Sequence, residues 1–407
     1  MRRVVVTGVG CISALGRDSA GFWQSLCEGR SGIAPLCRDV DSERLGAGDH
    51  PWIGAAVQGF DPASHFDERR RAVLDLFSQF ALVAAREAVG RSGLELAGAR
   101  RERTAVVFGT SVGGDQSRDD ASYQGYGEKR RTPPLTILRT MTNAATSHLS
   151  IEFGATGPSY TVSDACASST HAAGLAFQLI RHGLADAAIT GGSETLPSTG
   201  LLKGWEAMRV MAPDTCRPFA RTRKGIVLGE GAGVLVLETL SSARRRGAPI
   251  LAEVIGYGAS SDAGDLVVPS ARGIGAALRE ALRDARVAPE GVDYINAHGT
   301  GTRLNDVTET RAIQEVFRDA ARRLSISATK SMHGHAIGAT GALELIATIQ
   351  AVRHGVVPPT INYDEPDPEC DLDYTPNQAR ERPLEIALSS SFGFGGVNGV
   401  LAVRRFQ

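Results

Sequence analysis

The chain lacks several patterns that would define its class at once. None of its six cysteines forms a CxxC pair, and no Cys/His group has the spacing of a zinc site. No apolar run reaches the roughly 18 residues that a membrane-spanning helix needs. The formal charge of −1 leaves no overall basic field for nucleic acid. We therefore expect a cytoplasmic protein that binds neither membrane nor nucleic acid and meets any anionic partner through a local patch.

The sequence does contain a regular alternation of strand and helix patterns. Short β-branched runs bounded by glycine alternate with longer helical patterns, which predicts an α/β fold. Three polar segments without an apolar period are predicted to be surface loops. The predicted strands are Val4–Thr7, Thr104–Phe108, Ala187–Thr190, Val234–Glu238 and Val292–Asn296; the helices are Arg71–Arg91, Ala172–His182, Gly275–Arg286 and Val307–Ala321; the loops are Gly46–Pro51, Asp115–Pro134 and Asp364–Asn377.

A weak internal repeat suggests two similar halves. VVVTGVGCISALG near the start resembles AEVIGYGASSDAG at Ala252–Gly264, and GEGAGVLVLE ending at Glu238 resembles GGVNGVLAVR ending at Arg404. In each pair a strand meets a glycine-rich turn. We predict an N-terminal half over residues 1–245 and a C-terminal half over residues 246–407. Chance similarity among glycine-rich α/β turns is the alternative.

One cysteine stands in a setting that favours chemistry. Cys166 lies between a predicted strand, Tyr160–Val162, and a predicted helix, Ala167–His182. At a helix N-terminus a cysteine faces unpaired backbone N–H groups and the positive end of the helix dipole, which predicts a lowered thiol pKa. A free cysteine is otherwise most often a small buried hydrophobe. The local pattern leaves both interpretations open.

Two of the nine histidines also occupy positions typical of reacting groups. His298 ends a predicted strand before a Gly/Thr turn, and His335 stands just before a helix that starts with small residues. Strand ends and helix starts are where α/β folds place such groups. Lys330 and Glu344 flank His335. In an extended segment His333 would point the other way, so it is the weaker candidate.

Taken together, four separated motifs resemble a known family. DACASS around Cys166, NAHGTGT around His298, KSMHGH from Lys330 to His335, and FGFGGVN near the end are similar to the signature set of the elongating β-ketoacyl-(acyl-carrier-protein) synthases. TGGSE, CRPF and GEGAGVLVLE continue the match in the same order along essentially the whole chain. The resemblance implies a thiolase-like α/β fold: two similar halves, each with a five-stranded sheet, in five αβαβα layers.

The resemblance also implies site residues and partners. Cys166 would accept the acyl group, and His298, His335 and Lys330 would complete the catalytic set that decarboxylates malonyl-carrier protein. No cofactor, metal or ATP is expected, because the substrates arrive on the phosphopantetheine of acyl carrier protein. The assembly would be a homodimer or a heterodimer with a homologue resembling a chain-length factor. The other implied roles are the oxyanion hole (N–H of Cys166 and Phe394), the supporting network (Glu344, Asp306, Glu309), pantetheine binding (Thr300, Thr302), the acyl pocket and gate (Val112, Trp205, Phe392, Phe394) and carrier docking (Arg69, Arg70, Arg71, Lys129, Arg130, Arg209).

Departures from the common pattern concern the substrate. The run after His298 is Thr300-Gly301-Thr302-Arg303, and Ala220 replaces an acid. The HGTGT form resembles ketosynthases of polyketide, polyene and nodulation-factor acyl assembly. We therefore favour a specialised type II ketosynthase over a housekeeping fatty-acid elongation synthase, which is the alternative.

Three related classes fit the sequence less well. A thiolase would need a second cysteine near the C-terminus, and a synthase of the initiating class would have asparagine in place of His335. A non-catalytic chain-length factor typically lacks the nucleophile, whereas Cys166 is present.

Overall fold

The computed structural model describes residues 1–36 and 52–407. A ten-stranded mixed sheet runs through it in the order β10-β9-β13-β14-β8-β1-β7-β6-β4-β5, and two small sheets pair β2 with β3 and β11 with β12. The strands are β1 (Val4–Ser13), β2 (Ala34–Pro35), β3 (Ile53–Gly54), β4 (Thr104–Gly109), β5 (Ser159–Val162), β6 (Ala187–Glu194), β7 (Gly231–Thr239), β8 (Ala252–Ser261), β9 (Tyr294–Asn296), β10 (Ser325–Ser327), β11 (Val356–Val357), β12 (Arg380–Glu381), β13 (Ile386–Gly393) and β14 (Val397–Arg404).

Helices cover both faces of the large sheet. The α-helices are α1 (Ser19–Cys27), α2 (Glu68–Val73), α3 (Leu76–Ser92), α4 (Ala99–Glu102), α5 (Asp115–Ser122), α6 (Thr136–Thr140), α7 (Ala144–Phe153), α8 (Ser168–Arg181), α9 (Thr199–Ala207), α10 (Leu240–Arg245), α11 (Ala271–Ala285), α12 (Arg303–Phe317), α13 (Lys330–His333) and α14 (Thr340–His354). Short 3-10 turns cover Pro62–Ser64, Ala165–Ala167, Pro289–Gly291, Arg318–Arg323 and Ile337–Ala339, and a π-helical turn covers Tyr123–Gly127.

These elements form five layers. Helix α3 packs on β1 and β7, and α7 lies beside α3 on the same outer side. Helices α8 and α14 pack on each other and on strands of both halves. Helix α11 packs on β8 and β14, and α12 covers α11's flank. The expected αβαβα arrangement is therefore confirmed, with α8 and α14 in the central layer.

The strand order repeats between the two halves. Each half contributes five strands to the large sheet. Numbered in chain order and read from the outer edge inward, they are arranged third, second, fourth, fifth, first in both halves. Strands β1 and β8 join the halves through an antiparallel pairing of Val4–Val6 with Ala252–Val254. The repeat read from the sequence matches β1 with β8 and β7 with β14, which occupy equivalent places. The boundary between residues 245 and 246 stays a prediction.

Strand β1 shows why its glycines are needed. All ten of its residues are buried, and α3 packs against one face of the strand. A Cβ on Gly8 would lie 2.1 Å from the carbonyl oxygen of Ala88, and one on Gly10 would lie 2.2 Å from that of Ala84. The glycines let the helix backbone lie directly on the strand, which closes the outer core of the first half.

Two sequence predictions about the first half are wrong. The predicted helix Arg71–Arg91 is two helices, α2 and α3, because buried Asp75 follows the first and caps the second by accepting from the N–H of Phe77. The same carboxylate also accepts from the N–H of Ser117 in α5. The predicted loop Asp115–Pro134 contains α5 and the π-helical turn. Long-range hydrogen bonds hold this polar segment in place, so its helix forms without an apolar period. One of them runs from Ser198 N–H to the Asp115 carboxylate at 2.8 Å.

The remaining strand and helix predictions are confirmed in type, with several elements longer than expected. The loop Asp364–Asn377 has no helix or strand. The predicted loop Gly46–Pro51 lies outside the described residues. In the two described ranges, no helix combines the length and the apolar character needed to cross a membrane.

Candidate active site

Three side chains from distant segments meet in one cavity. The sulfur of Cys166 and one ring nitrogen each of His298 and His335 all lie within 4.8 Å of one another. The two imidazole rings stand nearly perpendicular, with centroids 5.6 Å apart. All three side chains are buried and line a cavity of about 460 Å³. The arrangement brings a nucleophile and two proton-bearing groups around a space that one thioester could fill.

Cys166, His298 and Lys330 each follow the carboxyl end of a parallel strand. Cys166 comes four residues after β5, His298 two residues after β9, and Lys330 three residues after β10. Strand β5 pairs in parallel with β4, and β9 pairs in parallel with β10 and β13. Carboxyl ends of parallel strands are where open α/β sheets place their sites. The central helices bring the ends from the two halves together.

Cys166 lies in a strained turn and keeps its proton. It sits within the 3-10 turn Ala165–Ala167 just before α8, and Ala165 has φ of +47°, which is uncommon for a residue with a side chain. Burial raises the pKa of the Cys166 thiol to about 11, although the Lys330 charge and the N–H groups of Phe394 and Cys166 itself lower it. The expected lowered pKa is therefore wrong, because the sulfur is desolvated more strongly than the dipole and charge stabilise its thiolate.

The hydrogen bonds of His335 determine which ring nitrogen carries the proton. The N–H of Ile337 donates to Nδ1 at 2.9 Å, and the Thr340 hydroxyl lies 3.1 Å from the same atom. A backbone N–H can only donate, so Nδ1 is bare and Nε2 carries the proton of the neutral ring. Nε2 makes no hydrogen bond within the described ranges. Burial, and then the Lys330 charge, hold the pKa of His335 well below its usual value, so the ring is neutral.

This tautomer bears on metal binding. One cysteine and two histidines form a ligand set that suits zinc. A metal ion at Nε2 of His335, however, would need a lone pair on that nitrogen. Because the Ile337 N–H occupies the lone pair of Nδ1, the proton of the neutral ring stays on Nε2. The arrangement therefore fits a hydrogen-bond donor better than a metal ligand.

The backbone around His298 is held by a buried carboxylate. The N–H groups of His298 and Gly299 each donate to Glu309 at 2.8 Å. Burial raises the pKa of Glu309 to about 7. Burial also lowers the pKa of His298 well below its usual value, assisted by the charge of Lys330, so this imidazole is neutral too.

Lys330 and Glu344 form a completely buried ion pair beside the two imidazoles. The Lys330 Nζ lies 2.7 Å from Oε1 of Glu344, and both side chains are fully buried. Nζ also donates to the carbonyl oxygen of His298. Burial raises the pKa of Glu344, and the charge and hydrogen bond of Lys330 oppose that rise. The cation thus faces both histidines and disfavours their protonated forms.

Asp306 organises the turn that follows His298. Its carboxylate accepts from the N–H groups of Phe219 at 2.7 Å and Gly301 at 3.3 Å. Burial raises its pKa to about 6. The turn presents Thr300 and Thr302 to the cavity.

Only part of the predicted acyl pocket reaches this cavity. Phe392 and Phe394 line it, with the Phe392 ring 5.7 Å from that of His298. Trp205 and Val112 do not line it. The Trp205 ring lies behind Phe394, with centroids 5.8 Å apart. The Phe394 ring is therefore in contact with the cavity, and the Trp205 ring is one layer removed from it.

Comparison with known proteins settles the family. The β-ketoacyl synthase N-terminal domain model matches residues 1–243, and the β-ketoacyl synthase C-terminal domain model matches residues 251–364. The chain belongs to the β-ketoacyl synthase family. It is thus a ketosynthase, an acyltransferase of the 3-oxoacyl-[acyl-carrier-protein] synthase type, as the motifs indicated.

Several relatives match this ketosynthase along its length. Nodulation protein E of Rhizobium sp. (strain N33) is 47% identical over 99% of both chains. The 3-oxoacyl-[acyl-carrier-protein] synthase 2 of Staphylococcus aureus (strain N315) is 39% identical over 100% of this chain and 99% of its own. A solved structure described as the ishigamide ketosynthase/chain length factor is 36% identical and superposes with a TM-score of 0.93 over 100% of both chains.

The predicted docking residues of the ketosynthase occupy different places. Arg209 is exposed and lines the cavity mouth. Arg69 and Arg71 are exposed on α2, away from the cavity lining, whereas Arg70 is paired with Glu152 at 2.5 Å. The two remaining candidates, Lys129 and Arg130, are exposed in the turn after the π-helix.

Sequence reasoning missed further residues at the mouth. Lys224 and Arg303 are exposed and line the cavity with Arg209. An apolar rim lies beside these cations and consists of Leu266, Val267, Val268 and Leu304, which are exposed lining residues. Arg303 was visible only as a departure in the HGTGT motif. No local pattern marks Lys224 or the rim, because only the fold brings these segments together.

Proposed function

We propose that Cys166 carries the acyl chain and that His298 and His335 activate the malonyl group. The observation that carries this proposal is the meeting of the sulfur with two neutral imidazoles, one of which presents an unpartnered Nε2–H. First, Sγ attacks the acyl thioester of the carrier protein. The new C–S bond forms on Cys166, and the carrier thiol leaves with the cysteine proton.

The second half-reaction uses the same space. Malonyl-carrier protein loses CO₂, and the electron pair of the broken C–C bond forms an enolate on the thioester carbonyl. The imidazole N–H groups donate to the enolate oxygen in a site shielded from water. The enolate carbon then attacks the acyl-cysteine, and the N–H groups of Cys166 and Phe394 hold the tetrahedral oxygen. The C–S bond breaks, the chain is two carbons longer, and the thiolate regains a proton.

The arrangement of lysine and carboxylates supports these roles. The buried Lys330–Glu344 pair keeps a positive charge beside both imidazoles, so each stays neutral and available as a hydrogen-bond donor. Glu309 and Asp306 hold the backbone that carries His298 and the threonines. The hydroxyls of Thr300 and Thr302, 2.9 Å apart, would bind the pantetheine arm.

Replacing His335 with asparagine tests whether this histidine acts in decarboxylation and not in the acylation of Cys166. We expect CO₂ release from malonyl-carrier protein to fall by roughly 10²–10³, because one preorganised donor is lost. Acylation of Cys166 by octanoyl-carrier protein, followed by mass spectrometry of the intact protein, should change little. His333→Asn is the matched control, since its ring packs near Phe22 and does not line the cavity. Equal losses in both half-reactions would contradict the assignment.

For the pathway, we propose specialised acyl or polyketide assembly in preference to housekeeping fatty-acid elongation. Identity is higher to the nodulation protein, 47%, than to the synthase 2 protein, 39%. The solved structure with a chain-length factor supports the same choice. The HGTGT run and Ala220 are the departures that accompany it.

Trp205 is proposed to limit the acyl chain from behind Phe394. Trp205→Ala should extend the space behind Phe394, so the ratio of rates for long over short acyl chains should rise. Each additional buried methylene contributes about 0.8 kcal/mol, so two of them shift the preference by roughly tenfold. Competition between acyl-carrier proteins of different chain length measures the ratio. Trp23→Ala, another half-buried tryptophan that stacks on His354, is the control; an unchanged preference in Trp205→Ala would remove the proposal.

We propose that acyl carrier protein docks at the mouth. Arg209, Lys224 and Arg303 surround the opening and suit both an acidic carrier and the phosphate of its arm. Arg209→Glu should raise KM for carrier-bound substrate roughly tenfold at low salt and less at high salt, with kcat nearly constant. Arg322→Glu is the charge-matched control on an exposed turn. A KM unchanged by Arg209→Glu would argue against docking there.

The edge of the sheet supports a two-chain assembly, which we propose with a second copy or a chain-length-factor-like homologue. Strand β5 ends the large sheet, and an open strand edge invites pairing. Large exposed apolar side chains are found on β5 itself and on α6, α7 and the segments beside them: Tyr126, Ile137, Leu138, Met141, Ile151 and Tyr160. Covering this surface would remove a patch that monomers rarely leave in water.

A further inference from the structure

A buried carboxylate outside the assigned catalytic set connects strand β6 with two distant segments, one of which adjoins His335. Glu194 ends β6 and is fully buried. Its Oε1 accepts from the Thr110 hydroxyl at 3.0 Å and from Val112 N–H at 3.2 Å. Its Oε2 accepts from Ser111 N–H at 2.6 Å and from Gly338 N–H at 3.1 Å. Four donors from two distant segments thus converge on one side chain.

No cation balances this carboxylate within residues 1–36 and 52–407. Of the ion pairs found there, none includes Glu194, whereas the buried Glu238 and Glu344 are paired with Arg246 and Lys330. Burial raises the pKa of Glu194 to about 7, although its hydrogen bonds lower it. Leaving an acid in the interior without a counter-ion costs stability unless the surroundings hold it. This cost suggests that the side chain serves function.

The hydrogen bond to Gly338 leads directly to the catalytic histidine. Gly338 lies in the 3-10 turn Ile337–Ala339, and the Ile337 N–H in that turn donates to Nδ1 of His335. A Cβ on Gly338 would come within 2.6 Å of Oε2 of Glu194 and within 2.5 Å of Ser111 N. The turn is therefore in close contact with the carboxylate and has no space for a larger residue at Gly338.

We propose that Glu194 is a positioning residue that braces the Ile337–Ala339 turn and thereby holds the His335 proton on Nε2. The brace also ties this turn to the Thr110–Val112 segment. If the carboxylate is lost, the turn relaxes and Nδ1 can take the proton instead. Nε2 would then face the substrate with a lone pair, which repels an enolate oxygen. This inference rests on the role proposed above for His335.

Two variants of Glu194 test separately its carboxylate charge and the length of its side chain. Glu194→Gln keeps the length but places an amide NH₂ against backbone donors, and Glu194→Asp keeps the charge but draws it back from Gly338. For both we expect CO₂ release from malonyl-carrier protein to fall by roughly 10²-fold, as for the loss of one donor. Acylation of Cys166 by octanoyl-carrier protein should be nearly unchanged. Should the glutamine variant fail to fold, the aspartate variant carries the same test.

Glu238→Gln is the matched control. Glu238 is equally buried in the same half, but it bonds Arg246, Thr7 and Ser242 away from the cavity. It should lose stability without separating the two half-reactions. Equal losses of acylation and decarboxylation in the Glu194 variants would overturn the proposal, as would full decarboxylation. A parent enzyme whose decarboxylation does not depend on His335 would instead contradict the proposed function itself.

Discussion

Replacing Cys166 with alanine should abolish condensation while malonyl-carrier protein is still decarboxylated. Condensation requires a covalent acyl group on this sulfur, so its rate should fall by roughly 10⁴-fold or more. Decarboxylation requires the imidazole donors, and both remain in place around the emptied cavity. Product formation from octanoyl- and malonyl-carrier protein, measured beside CO₂ release, distinguishes the two reactions. Intact-protein mass spectrometry should show no acyl adduct.

Cys27 provides the control for this prediction. Burial raises its thiol pKa to about 11, the same value as for Cys166. It is half-buried at the end of α1 and does not line the cavity. Cys27→Ala should therefore leave acylation and condensation intact. If the acyl adduct persisted in Cys166→Ala and vanished in Cys27→Ala, the nucleophile would be misassigned.

Replacing Lys330 with methionine should both lower the free energy of unfolding and remove activity. The change leaves the Glu344 carboxylate buried without its cation, and removing one partner of a buried pair costs about 3–5 kcal/mol. The charge that faces both imidazoles disappears as well, and so does the hydrogen bond to the His298 carbonyl. The free energy of unfolding in urea and the rate of CO₂ release measure the two effects.

A double variant separates these effects. Lys330→Met with Glu344→Met removes both charges, so most of the lost stability should return because no unpaired charge stays buried. Activity should not return, since the cation beside the histidines is still missing. A double variant as unstable as the single one would show that packing, and not the unpaired carboxylate, causes the loss.

How far the sequence predicts the structure depends on the range of the interactions. Strand and helix types follow from local periodicity, and the family motifs mark Cys166, His298 and His335 correctly as neighbours in space. The break between α2 and α3 was missed because Asp75 caps α3 while also bonding Ser117, 42 residues away. For the same reason the sequence predicts a loop where α5 forms. Hydrogen bonds between distant segments leave no periodic trace in the chain.

The sequence by itself determined the α/β class, the repeated halves, the family and the order of the reacting groups along the chain. Each of these follows from local patterns of hydrophobic residues, glycines and motif residues. Only the tertiary structure decided the chemical state of the site. Burial raises the pKa of the Cys166 thiol above its usual value, and a backbone N–H from the turn after His335 determines the tautomer of that histidine. Desolvation and directed hydrogen bonds depend on what the fold packs around a group, which residue spacing does not encode.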